Sequence, residues 1–150
     1  HETRGSYAFG EHECFKAKIF ALPVSDQAFS EITSYIAECE RDKKRVFNLF
    51  SMATMPIIGG FRIWHADNCM SFTSKVIQLS GCAEMQRPYW RYSIKDIDKL
   101  LCSQFFFEGK LQRHLPPDDD YMEPFDLGLY LKDMLSLFGK LTYRLIFKRP

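Results

Sequence analysis

Around Pro23 the apolar residues of this chain change their period, and that change constrains the fold more than any other feature. Ahead of it, Phe15, Ala17, Ile19 and Ala21 alternate with Lys16 and Lys18, the two-residue repeat of a half-buried strand. Beyond it, Phe29, Ile32, Ile36 and Cys39 recur at the spacing of one helix face. Ser25 stands where an N-cap belongs, and Asp26 where a carboxylate complements the helix dipole. The pattern predicts a strand over 14–22 closed by Pro23, a helix over 26–40, and an α+β class.

The rest of the chain extends that reading. Residues 6–9 (Ser-Tyr-Ala-Phe) have strand character, and the charged run Glu40–Arg45 reads as a solvated helix end. Residues 46–63 are apolar but irregular, with Pro56 and Gly59-Gly60 breaking any long element. A second helix is expected from Asn68 or Cys69, with Phe72, Val76 and Leu79 on one face and Ser80-Gly81 as its C-cap. Ser93 with Asp96 forms a capping box that opens a helix through Ile97, Leu100 and Leu101. Phe105–Phe107 reads as a short strand ending at Glu108-Gly109. Residues 115–126 hold three prolines and five acidic side chains, the composition of a loosely packed surface loop. Leu127, Leu131, Met134, Leu135, Phe138, Leu141 and Leu145 then follow a helical period, with cations gathered toward the end. That helix has three uses open to it: packing on the domain, docking on a partner, or lying on a membrane surface through Lys140, Arg144, Lys148 and Arg149. There is no internal repeat. The expected organisation is a domain over 1–112, a loop over 113–126 and a C-terminal amphipathic helix over 127–147.

Composition narrows the function classes. The net charge is +1 and the cations are dispersed, whereas nucleic-acid binding rests on a basic stripe facing phosphates, so no nucleic-acid partner is expected. Cys14, Cys39, Cys69, Cys82 and Cys102 are odd in number, widely spaced and without a CxxC pair. This indicates neither a zinc site nor a disulfide framework, and points to a reducing, cytoplasmic setting with no metal or cofactor. No apolar run approaches the roughly 18 residues a bilayer span needs.

The most informative stretch is Trp64-His65-Ala66-Asp67-Asn68-Cys69-Met70-Ser71-Phe72-Thr73. A thiol in the first turn of a helix faces unpaired backbone N–H groups and the positive end of the macrodipole, and both favour thiolate. The same N–H groups can hold the oxyanion formed when an acyl carbon is attacked. The plainer reading makes Cys69 a buried small hydrophobe, as free cysteines commonly are. A nucleophilic thiol also needs a base, usually histidine. His65 lies on the same short connection and is hard to aim back at the helix start; His114 borders the acidic loop; His12 sits between two expected strands; His1 precedes the first.

Taken in order, several short motifs form a series. Ser-Tyr-Ala-Phe-Gly at 6–10 is followed by Leu22-Pro23-Val24-Ser25-Asp26, Phe47-Asn48 and Asn68-Cys69-Met70-Ser71-Phe72. Trp90-Arg91-Tyr92-Ser93-Ile94-Lys95-Asp96-Ile97 and Phe107-Glu108-Gly109-Lys110-Leu111 complete it. Over about residues 1–112 this resembles the circularly permuted papain-fold group of the NlpC/P60 superfamily. In those proteins a strand-borne histidine precedes a helix-borne cysteine, and many carry an Asn-Cys pair with Phe shortly after. The resemblance implies a papain-like fold, a small antiparallel sheet packed against helices, here with an additional C-terminal helix. It implies thiol attack on an amide, ester or thioester carbonyl of a peptide or acyl substrate through an acyl-enzyme. Cys69 matches the nucleophile position and His1 is the nearest match to the base. Asn68 caps the helix and orients the thiol's surroundings. No residue matches a third, orienting group. A member that has lost its chemistry would serve as a protein-interaction module, here through the C-terminal helix.

Overall fold

The structure is a computed structural model that describes residues 14–112 and 126–148. The expected strand over 6–9, and His1, His12 and His114, lie outside the described residues. The elements run β1 (Cys14–Phe20), α1 (Asp26–Arg41), β2 (Val46–Phe47), α2 (Leu49–Ile58), β3 (Ala66–Asp67), α3 (Cys69–Ser80), α4 (Ile94–Leu100), β4 (Phe105–Gln112) and α5 (Leu127–Phe147). A 3₁₀ turn at Tyr89–Arg91 leads toward α4, and another at Cys102–Gln104 leads into β4. The class is α+β, with a small two-stranded antiparallel sheet and a C-terminal helix. Two compact units divide the described residues: 14–21 with 105–112 and 126–135, and 22–104 with 136–148.

In the first unit β1 pairs antiparallel with β4, Cys14 opposite Gln112 and Ile19 opposite Phe107, with an irregularity between Ile19 and Phe20. β4 does not stop at Glu108-Gly109 as its sequence suggests. Gly109 stays in the ladder opposite Ala17 because the Phe107 ring folds over it and supplies the cover a glycine lacks.

The second unit is built on caps. Ser25 accepts from the Ala28 amide to start α1, and Ser93 with Asp96 completes the expected capping box of α4. Gly81, at φ +67°, ends α3 in the left-handed conformation that glycine adopts without a Cβ penalty. The irregular stretch 46–63 turns out to contain α2. Asn48 caps it by accepting from the Ser51 amide, and Pro56 is tolerated because it falls near the helix end. Gly59, at φ +74°, then terminates it.

β2 and β3 pair in parallel, Val46 with Ala66 and Phe47 with Asp67, a pairing that no local pattern announces. Beside them sits the apolar cluster of Ile63, Ala66 and Leu141, walled by Val46, Leu49, Phe50, Phe61 and Leu137. The end of α5 is therefore part of this core. Its Arg144 side chain is buried and donates to the carbonyls of Lys44 (2.7 Å), His65 (2.8 Å) and Trp64 (3.4 Å). α1 and α3 pack through the Tyr35–Phe72 ring contact, while Phe29, expected on the buried face of α1, is exposed. The fully buried face of α3 is Ser71, Ser74, Ile77 and Ser80, and the helix also packs against the Tyr89–Arg91 turn; Phe72, Val76 and Leu79 are only half-buried.

Leu141 is 0% exposed, so Leu141→Ala should destabilise the second unit by about 3 kcal/mol through lost burial and a residual cavity. Urea unfolding midpoints check this, with exposed Leu135→Ala expected to stay within about 0.5 kcal/mol of wild type.

Candidate active site

Cys69 is the first residue of α3, and its side chain is exposed. The plainer reading of it as a buried hydrophobe therefore does not describe this thiol. Its neighbours face inward. The Asn68 side chain, 2% exposed, accepts from the Ser71 amide at 2.8 Å, and the Ser71 hydroxyl accepts from the Asn68 amide at 2.9 Å. This reciprocal cap uses two of the donors that every helix start leaves over. The amides of Cys69 and Met70 form no hydrogen bond with any described residue.

The cap is anchored from behind. Asn68 Nδ2 donates to Ser51 Oγ at 3.4 Å, and the same oxygen accepts from the Phe61 amide at 3.0 Å. Asn48 accepts from the Ser51 amide at 3.0 Å and donates through Nδ2 to the Phe61 carbonyl at 3.1 Å. Its own amide donates to the Asp67 carbonyl at 2.8 Å, the last rung of the β2–β3 pairing. Both asparagines and Ser51 are buried, and each finds the partners burial demands. Asn68 thus acts as the cap anticipated from sequence, and its carboxamide is engaged inside the protein.

No imidazole hydrogen-bonds to Cys69 among the described residues. The one described histidine, His65, directs Nδ1 at the Asp42 carboxylate and stands edge-on to Trp64, ring centroids 3.9 Å apart. Its backbone is held at φ +49°, an uncommon conformation for a residue with a Cβ. His65 is thus a satisfied structural histidine.

Sequence reasoning missed the network to which this histidine belongs. The run Glu40–Arg45 is not simply a solvated end. Asp42 pairs with His65, its Oδ2 lies 3.7 Å from Arg45 Nε, and Arg45 reaches on to Asp67. Ser71 Oγ also lies 3.1 Å from Asp67 Oδ1, joining the network to the cap beneath Cys69. Burial first, then the Asp67 charge, raises the Tyr35 phenol above its ordinary value. The partners lie 22 and 23 residues apart, beyond any local pattern. Among the described residues no three His, Cys, Asp or Glu side chains come together as metal ligands would.

No family model, curated protein or solved structure matches this chain.

Two outcomes follow from this geometry. Asn68→Ala removes the cap and strands buried partners, and should cost about 2 kcal/mol in urea unfolding. Burial alone would raise the Asp42 carboxyl, but hydrogen bonds from His65 and the Lys44 amide, with the charges of His65 and Arg45, hold it below its ordinary value. A depressed carboxylate contributes stability above its unfolded pKa and loses it as pH falls through the folded one. Asp42→Asn should therefore be less stable than wild type at about pH 7, and the gap should close on acidification toward about pH 3.

Proposed function

We propose that this chain is a cysteine-dependent hydrolase or acyltransferase of papain-like type, working through an acyl-enzyme at Cys69. The observation that carries the reading is an exposed thiol at the first position of a firmly capped helix, beside two amides that no described residue engages. In this reading the thiolate sulfur attacks the carbonyl carbon of an amide, ester or thioester. The carbonyl oxygen takes up negative charge and is held by the Cys69 and Met70 amides. As the C–N, C–O or C–S bond breaks, the leaving group takes the proton that the base removed from the thiol, and water or a second nucleophile then releases the acyl group. The base belongs to His1, the position matched by the NlpC/P60 resemblance. Five free thiols fit a reducing compartment such as the cytoplasm.

Cys102 is exposed as well, but it stands in a 3₁₀ turn rather than at an α-helix start, and so controls for accessibility. With iodoacetamide below about pH 7, Cys69 should be alkylated at least about tenfold faster than Cys102, as read by peptide mapping in a mass spectrometer. Slow, equal labelling of both would remove the chemical reading.

A further inference from the structure

The last part of α5 has two faces with different fates. Leu141 and Arg144 are buried in the second unit, whereas Phe138, Tyr143, Leu145, Ile146 and Phe147 are exposed, Ile146 at 65% and Phe147 at 67%. At about 100° per residue, Leu145, Thr142, Ile146, Tyr143 and Phe147 sweep an arc of about 200° on the side away from the core, while the Phe138 ring at its edge rests on Phe50 of the core wall, centroids 5.4 Å apart. No charged side chain falls within it. Lys140 lies just beyond the Phe147 margin, and Lys148, one residue past the helix end, falls on the side of Arg144 and Leu141, its ammonium 5.8 Å from the centre of the Trp64 ring.

From Ser136 to Lys148 there is no carboxylate at all, while Lys140, Arg144 and Lys148 are present and Arg149 follows in the sequence. Arg144 is committed to three backbone carbonyls, so Lys140 and Lys148 are the cations left to face outward. A second copy of this chain would set one cation-only segment against another, with no acid in either to pair them. The charge instead complements an anionic surface. An exposed face of aliphatic and aromatic side chains bordered by Lys140, with Lys148 just past the helix end, can sink between lipid headgroups, with the Lys and Tyr tips at headgroup level. No described helix is long and apolar enough to cross a membrane, so the contact is one of lying on it. We infer that the end of α5 from Ser136 to Phe147, with Lys148 after it, docks this protein on an anionic lipid surface.

The test uses the full chain and sedimentation with vesicles of phosphatidylcholine alone, or with about one-third phosphatidylserine. Binding is expected to the second and not the first, weakening as salt screens the lysines. Both residues are exposed, so the Ile146→Glu/Phe147→Glu double variant should keep the wild-type circular dichroism spectrum and melting temperature. It should bind at least about tenfold more weakly. The inference is overturned if wild type ignores phosphatidylserine, or if the folded double variant binds undiminished. It is equally overturned if sedimentation velocity shows a wild-type dimer that the double variant dissolves, which would assign the face to a second copy.

Discussion

Two asparagines and a serine, sealed from water where two short parallel strands end, hold the larger unit in register. β2 and β3 are two residues each, too short for their ladder to resist slippage alone. The side chains just beyond them do that work. Ser51 Oγ accepts from both Asn68 and the Phe61 amide, so a shift of either strand would strand buried donors at about 1–3 kcal/mol each. Only one alignment satisfies every group. In that alignment α2 and α3 each start from an asparagine cap where a strand ends, linked by Asn68 and Ser51, and Cys69 stands at the first position of the second helix.

Arg144 closes the structure over a longer range. Its guanidinium gathers carbonyls from residues 79, 80 and 100 positions away, on either side of the β2–β3 pairing. Lysine could not replace it, because a single ammonium cannot span three acceptors with the geometry of a planar fork. The desolvated charge is met by carbonyl dipoles rather than by a carboxylate, which leaves Asp42 and Asp67 to Arg45 and His65. The tight turn at Trp64–His65 is thereby held from two sides, by Arg144 on its carbonyls and by Asp42 on the imidazole ring. This accounts for His65 keeping a left-handed backbone that an unconstrained residue would avoid.

Local chemistry was legible in the sequence; long-range pairing was not. Ser25, Ser93 with Asp96, Asn68 and Gly81 each act within a few residues of themselves, so their helix boundaries follow from side-chain type. α2 was hidden because Pro56 and Gly59-Gly60 signal a break, and the signal marks its end rather than its absence. Its start at Asn48 follows the same rule that reveals α3, and the tetrads Asn48-Leu49-Phe50-Ser51 and Asn68-Cys69-Met70-Ser71 share their first and last residues. The extension of β4 through Gly109 depends on one ring folding over one backbone. The ion pairs of Arg45 and His65 depend on strands brought together by distant sequence.

The paired tetrads also separate the readings of Cys69. In each, asparagine at the cap and serine three residues on are turned inward by the bonds they make. The residue between them at the first helical position differs. Leu49 packs against the Ile63–Ala66–Leu141 cluster, as an apolar side chain should, whereas Cys69 is exposed. A cysteine serving only to fill space would be expected in the place of Leu49, where there is a core to fill. In α3 the cap and its buried anchor hold a polarisable, ionisable sulfur at the surface beside two amides that no described residue engages. That expenditure of buried polar groups on an exposed side chain makes sense if the sulfur meets something from solution.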